Sequence, residues 1–309
     1  MEENRTPGQQ NRWSGVKRPA LYALASGAGF LLLLFLTWLS SAAGRQEQEK
    51  QTFQIVVFGD SVFGETRDET SVTALLGGLL NRTVFNAALG GTCLSRSDQE
   101  CRPGLGQDML SMTALTKAMA AHDFGPQQTI RIRESSTEYF DETIDAMAQI
   151  DLSAAEILLI GYGLNDYNRG VPIYDKEDPW NEYTFTGALQ STLKLLRETF
   201  PDQRIILVTP CYSWYLAGGK ACEEYDLGGG TLDEYVKAEL ETAARMGVEI
   251  IDLYHDLWPH EKWEDWELYT KDGFHPNEAG RELIARRIAE YLGSEPDEPA
   301  IRSRAAGKR

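Results

Sequence analysis

Five short apolar runs, separated by helix-length stretches, limit what this chain can fold into more than any other feature. Residues 53–58, 84–88, 156–161, 204–209 and 248–253 have strand length and are bounded by turn-forming residues. Segments 70–80, 105–121, 138–149, 183–200, 231–246 and 277–292 carry helical spacing between or after them. Strands that alternate with helices in this way predict an α/β fold with a parallel sheet covered on both faces. Pro201 and Gly247 stand where two of these helices should stop, and Pro210 closes the fourth strand.

In such a sheet, ligands bind beyond the carboxyl ends of the strands, where strand order reverses. The first strand leads directly into Gly59-Asp60-Ser61, and Asp272-Gly-Phe-His275-Pro-Asn277 lies near the end of the chain. A serine hydroxyl is a poor nucleophile at neutral pH. It needs an imidazole to take its proton and a carboxylate to hold that imidazole in one tautomer. Ser61, His275 and Asp272 supply those roles. The three-residue spacing from Asp272 to His275 lets one turn place the carboxylate beside the ring. A tetrahedral oxyanion also needs donors, and the candidates are the Ser61 N–H, a glycine N–H in Asn86-Ala-Ala-Leu-Gly90-Gly91-Thr92, and the side-chain amide of Asn165 in Gly161-Tyr-Gly-Leu-Asn165-Asp166.

With these blocks in this order, the chain resembles the Ser-Gly-Asn-His hydrolases, the GDSL-like esterases and lipases, over roughly residues 54–292. The resemblance implies a flavodoxin-like three-layer α/β/α sandwich on a five-stranded parallel sheet. It implies Ser61, Asp272 and His275 as catalytic, and Ser61, Gly91 and Asn165 as the oxyanion hole. Ala88 stands where the usual N-x-G-x-x-G spacing has its first glycine, and counting five from Asn86 selects Gly91, with Gly90 as the neighbouring candidate. No G-x-S-x-G elbow is present.

Tyr212, Trp214 and Tyr215 follow the fourth strand and are candidates to line the substrate site, with Trp258, Trp263 and Trp266 as a second wall; core packing competes for all of them. Pro259 interrupts any helical face shared by His255 and His260, so no metal site is expected, and the triad chemistry calls for no cofactor. His122 reads as a helix cap or surface residue.

The N-terminal region differs from the rest. Residues 19–44 contain no charged side chain, and 20–39 match the roughly 20 residues needed to cross a bilayer. The expected organisation is a cytoplasmic basic segment at 1–19, a transmembrane signal-anchor at 20–43, a linker at 44–52, the catalytic domain at 53–293 and a disordered tail at 294–309. Arg5, Arg12, Lys17 and Arg18 place the N-terminus inside and the domain outside by the positive-inside bias. Cleavage near Ser41-Ala42-Ala43 is the alternative and would secrete the domain. Cys93, Cys101, Cys211 and Cys222 all follow this segment, so two local disulfides are expected, Cys93 with Cys101 and Cys211 with Cys222.

A net charge of −17 argues against nucleic acid as a partner. These readings converge on a membrane-tethered serine esterase removing small acyl groups, acetyl among them, from carbohydrate or another small ester. A lipase or lysophospholipase and an O-acyltransferase are alternatives with the same triad. A non-catalytic glycan-binding module is the non-enzyme alternative.

Overall fold

The computed structural model describes residues 50–97, 109–130 and 140–294. The strands are β1 (Ile55–Gly59), β2 (Val84–Asn86), β3 (Ile157–Gly161), β4 (Arg204–Val208), β5 (Trp214–Tyr215), β6 (Lys220–Ala221) and β7 (Glu249–Ile251). The helices are α1 (Ser61–Gly64), α2 (Val72–Leu80), α3 (Met112–Ala121), α4 (Gly125–Gln128), α5 (Phe140–Met147), α6 (Leu164–Asn168), α7 (Phe185–Thr199), α8 (Leu232–Met246), α9 (Trp266–Tyr269) and α10 (Glu278–Gly293).

Five strands form one parallel sheet in the order β2-β1-β3-β4-β7. Counted along the sheet strands alone this is 2-1-3-4-5, the flavodoxin-like order, whose reversal falls between β1 and β3. From β1 the chain crosses to one side through α2, and from β3 and β4 to the other through α7 and α8. Right-handed crossovers in opposite directions put those helices on opposite faces. The packing agrees: α2 lies against α10, while α3 lies against α7 and α7 against α8. All of β1 and β3 is buried, which explains why both read as unbroken apolar runs.

The helices are fixed by ends and faces. Phe185, Leu189, Leu193 and Leu196 of α7 share a helical face and are fully buried, each contributing roughly 1.5–3 kcal/mol on burial. Ser71, Thr184 and Asn277 cap α2, α7 and α10 with side-chain oxygens, and Thr231 with Glu234 forms a capping box on α8. Gly247 ends α8 in the left-handed conformation, φ +61°. Of the segment expected as a helix over 105–121, residues 105–108 lie outside the described residues, and the described part is helical from Met112, where Ser111 accepts from Ala114 N and caps the start. Strand 84–88 stops at Asn86, where Ala87 and Leu89 turn inward and donate to Val57 O and Gly59 O at 2.8 Å each.

The hairpin β5–β6 was not foreseen, and it corrects the expected disulfide between Cys211 and Cys222. Trp214 pairs with Ala221, so Cys222 faces Ser213, to whose carbonyl its N–H donates at 3.0 Å, and Cys211 lies two residues out of register. Both are buried free thiols, and burial pushes the Cys222 thiol up to about 12. The Cys93–Cys101 pairing involves Cys101, which lies outside the described residues, as do the expected membrane segment at 20–43 and the tail from 295. Among the described residues, no helix is long and apolar enough to cross a membrane.

Candidate active site

Ser61 is the first residue of α1, at the carboxyl end of β1, and Asp60 is its cap, accepting from Val62 N at 2.9 Å. The serine is thereby held on a helix start, where its own N–H points out of the helix ladder. His275 arrives from the loop between α9 and α10. Its Nε2 lies 3.0 Å from Ser61 Oγ, and its Nδ1 lies 2.7 Å from Asp272 Oδ2. The other carboxylate oxygen, Asp272 Oδ1, accepts from the N–H groups of Phe274 at 3.1 Å and His275 at 2.9 Å. Burial alone would raise the Asp272 carboxyl, but the bonds and charge from His275 and the Phe274 N–H outweigh it and hold Asp272 below the usual range. The ionised carboxylate favours the imidazole tautomer that donates from Nδ1.

The histidine loop is pinned by its backbone. Trp214 N donates to Gly273 O at 3.0 Å, Gly273 N to Thr270 Oγ1 at 3.0 Å, and Lys271 N to His275 O at 2.8 Å. Gly273 has φ +88°, and a Cβ there would lie 2.2 Å from Trp214 O, so only glycine fits. Lys271 Nζ also meets Glu65 Oε2 at 2.8 Å, joining this loop to the end of α1.

The candidate oxyanion donors are gathered by hydrogen bonds. Asn165, on α6, donates through Nδ2 to Asp60 Oδ2 at 3.3 Å, beside the nucleophile. Leu89 N is held by Gly59 O, and buried Asp166 accepts from Leu94 N at 2.9 Å and Ser95 N at 3.0 Å. The glycine loop is thus tied at one end to β1 and at the other to the residue after Asn165. Gly91, with φ +73°, has the left-handed conformation there, and its carbonyl accepts from Arg169 Nη2 at 2.6 Å. Asn86 braces the loop from below, donating to Phe63 O at 2.8 Å and accepting from Ala88 N at 3.1 Å.

Burial raises Asp60 to about 6, against the pull of the Val62 N–H, His275 and Asn165, with the Asp166 charge adding to the rise. Burial likewise raises Asp166, against its bonds from Ser95 and Leu94. Neither aspartate has a role expected from the sequence: the bond from Asn165 to Asp60 spans 105 positions and leaves no local signal.

Two of the three aromatics expected to touch substrate are placed inside. Trp214 is 1% and Tyr212 3% exposed; the Tyr212 hydroxyl donates to Glu223 at 2.8 Å and its ring stacks on His260 at 3.9 Å. Packing against the hairpin and the β7 loop turns both inward, which corrects the expected lining. Tyr215 is half-buried, stacked on Tyr225 at 4.6 Å and edge-on to Phe274, the neighbour of His275, at 6.1 Å. Trp258 is also buried, stacked on Tyr269, while Trp263 is exposed. His255 binds Asp252 through Nδ1 at 2.7 Å and His122 is the αL cap of α3. Among the described residues, no group of three or more His, Cys, Asp and Glu side chains is placed to hold a metal ion.

The profile of the GDSL-like lipase/acylhydrolase family matches residues 57–283. No curated protein matches the chain. One solved structure, 26% identical, covers 78% of this chain and 96% of its own, with a TM-score of 0.56. A protein from Lactobacillus plantarum is 20% identical over 79% of this chain and 98% of its own, TM-score 0.57. A possible lipase from Chitinophaga pinensis is 18% identical over 78% and 98%, TM-score 0.52. The last two likenesses are likenesses of fold.

Proposed function

The chain belongs to the GDSL-like lipase/acylhydrolase family, enzymes of ester bonds, and on that premise we propose that it is a serine esterase for small acyl groups such as acetyl. The observation that carries the mechanism is the unbroken line from Ser61 Oγ through His275 to Asp272, at 3.0 and 2.7 Å. His275 Nε2 takes the Ser61 proton as Oγ attacks the ester carbonyl, and Asp272 stabilises the imidazolium. The oxyanion is received by the N–H groups of Ser61 and Gly91 and the amide of Asn165. His275 then hands the proton to the departing alkoxide, leaving an acyl-enzyme on Ser61. A water deprotonated by His275 attacks that ester, and the acid leaves as Ser61 regains its proton.

The small-acyl part of the reading is supported by the aromatic pair beside the catalytic histidine: half-buried Tyr215 lies edge-on to Phe274, the neighbour of His275, and such rings suit a sugar ring or another small ester. The uncharged stretch at 19–44, with basic residues before it, supports placing the domain on the extracytoplasmic side, tethered by its N-terminus.

The test is hydrolysis of p-nitrophenyl acetate, butyrate and octanoate by the full chain and by Ser61→Ala. Turnover should fall with acyl length, and Ser61→Ala should lose at least about 10³-fold in kcat. Octanoate preference would turn the reading to a lipase. Retained turnover in Ser61→Ala would remove the mechanism. Transfer of the acyl group to a sugar hydroxyl in preference to water would make the protein an acyltransferase.

A further inference from the structure

We propose that Asp60 is a positioning residue that sets the oxyanion-hole amide of Asn165, so that the buried carboxylate next to the nucleophile controls catalysis without touching substrate. The inference rests on the esterase reading above and deepens it.

An asparagine amide is ambiguous: its oxygen and nitrogen occupy nearly the same shape, but the oxygen only accepts and the nitrogen only donates, so only the nitrogen serves an oxyanion. Something must hold the NH₂ side toward the site. Asp60 Oδ2, 3.3 Å from Asn165 Nδ2, accepts only when the nitrogen is on its side. With one amide N–H committed to Asp60, the second stays fixed in the amide plane and is left for the oxyanion. Asp60 Oδ1 meanwhile holds Val62 N at 2.9 Å, so one carboxylate sets the start of α1 and the Asn165 amide together.

The surroundings make this arrangement deliberate in energetic terms. Asp60 is 2% exposed, and a buried carboxylate is costly unless it is well bonded. A cap alone is served as well by Ser, Thr or Asn, which carry no charge to bury. The groups facing the carboxylate are the Val62 N–H and Asn165, the imidazole of His275, the carboxylate of Asp166, Tyr162 and Cys211. Of these, Asn165 and Val62 bond it, His275 favours its ionised form and Asp166 opposes it. Protonation would change what it offers. A carboxylic acid presents an O–H toward Asn165, which favours the flipped amide with its oxygen toward Asp60. The donor would then turn away from the oxyanion.

A double-mutant cycle on the full chain tests this, using p-nitrophenyl acetate and the variants Asp60→Asn, Asn165→Ala and both. Asn165→Ala should lower kcat by about 10²-fold, the usual loss for one oxyanion donor. Asp60→Asn should lower kcat by roughly 10-fold or more with KM changed by less than about twofold. In the Asn165→Ala background, Asp60→Asn should change kcat by less than about threefold. Additive losses, or wild-type kcat in Asp60→Asn, would overturn the inference.

Should Asp60→Asn fail to fold, the pH profile decides with the wild type and Asn165→Ala alone. In acid, wild-type log(kcat/KM) should fall with a limiting slope one unit steeper than that of Asn165→Ala, the extra proton being the one on Asp60. Equal slopes in the two proteins would refute the coupling. Absence of any Ser61-dependent turnover would instead remove the esterase reading and the inference with it.

Discussion

At the scale of single residues, the site depends on two aspartates that the protein treats in opposite ways. Asp272 is held below its usual range by His275 and the Phe274 N–H, despite the opposing effect of burial. Its depressed value means a contribution to stability that is present above the unfolded value and lost as pH falls through the folded one. Asp272→Asn leaves the hydrogen-bond geometry but favours the wrong imidazole tautomer. Steady-state kinetics should show kcat falling by about 10³- to 10⁴-fold with little change in KM. Asp60 runs the other way: burial raises it from 3.8 to about 6. The folded state then binds its proton more tightly than the unfolded state. The ionised carboxylate thus lowers stability by an amount absent below pH about 4, growing to roughly 3 kcal/mol above pH about 6. Asp60→Asn keeps the cap on Val62 and removes that cost. Melting curves should show it more stable than the wild type at pH 8, with the gap closing near pH 4; a lower melting temperature at pH 8 would contradict this. Ser61, His275, Asp272 and Asn165 were legible in the sequence because their own side chains bear the chemistry and sit in short blocks. Asp60 and Asp166 were not, because each acts through a partner about 70 to 105 positions away.

At the scale of elements, the strands and long helices were legible and the connections between them were not. Periodicity reports burial, and β1, β3 and β4 are buried along nearly their whole length. Short pieces such as α1, α6 and the β5–β6 hairpin are set by caps, glycines and tertiary bonds rather than by a repeating pattern. The hairpin decides the placement of the catalytic histidine, since Trp214 N holds Gly273 O. It also explains why Trp214 is buried and does not line the site. Gly273→Ala tests that dependence. At φ +88°, with a Cβ 2.2 Å from Trp214 O, the substitution must shift the loop. A loss of about 1–3 kcal/mol in stability is expected, together with a fall in kcat larger than any change in KM as Asp272 and His275 move off Ser61. Native stability and full activity in that variant would show that the loop is less tightly fixed than its bonds indicate.

At the scale of the molecule, a flavodoxin-order sheet delivers residues from the two ends of the domain to one rim: Ser61 from the first strand and His275 from the loop before the last helix, 214 positions apart. The alternation of apolar runs with helical segments foretold the α/β core, but the even cysteine count misled at Cys211 and Cys222, because a count cannot report hairpin register. Cys211 and Cys222 are buried thiols, so alkylation without reductant should leave both unmodified in the native protein and modify both after denaturation, as peptide mass mapping would show. A linked peptide pair carrying both residues would contradict this. Activation of Ser61 by His275 is the centre of the mechanism, and an organophosphate that phosphorylates only an activated serine reaches it directly. The full chain is treated with one equivalent of diethyl p-nitrophenyl phosphate, and the modified peptide is mapped while esterase activity is followed. A single adduct on Ser61, formed in step with the loss of activity and absent from His275→Ala, is the result this account predicts. Activity that survives stoichiometric labelling of Ser61, or an adduct that forms elsewhere as activity is lost, would contradict it.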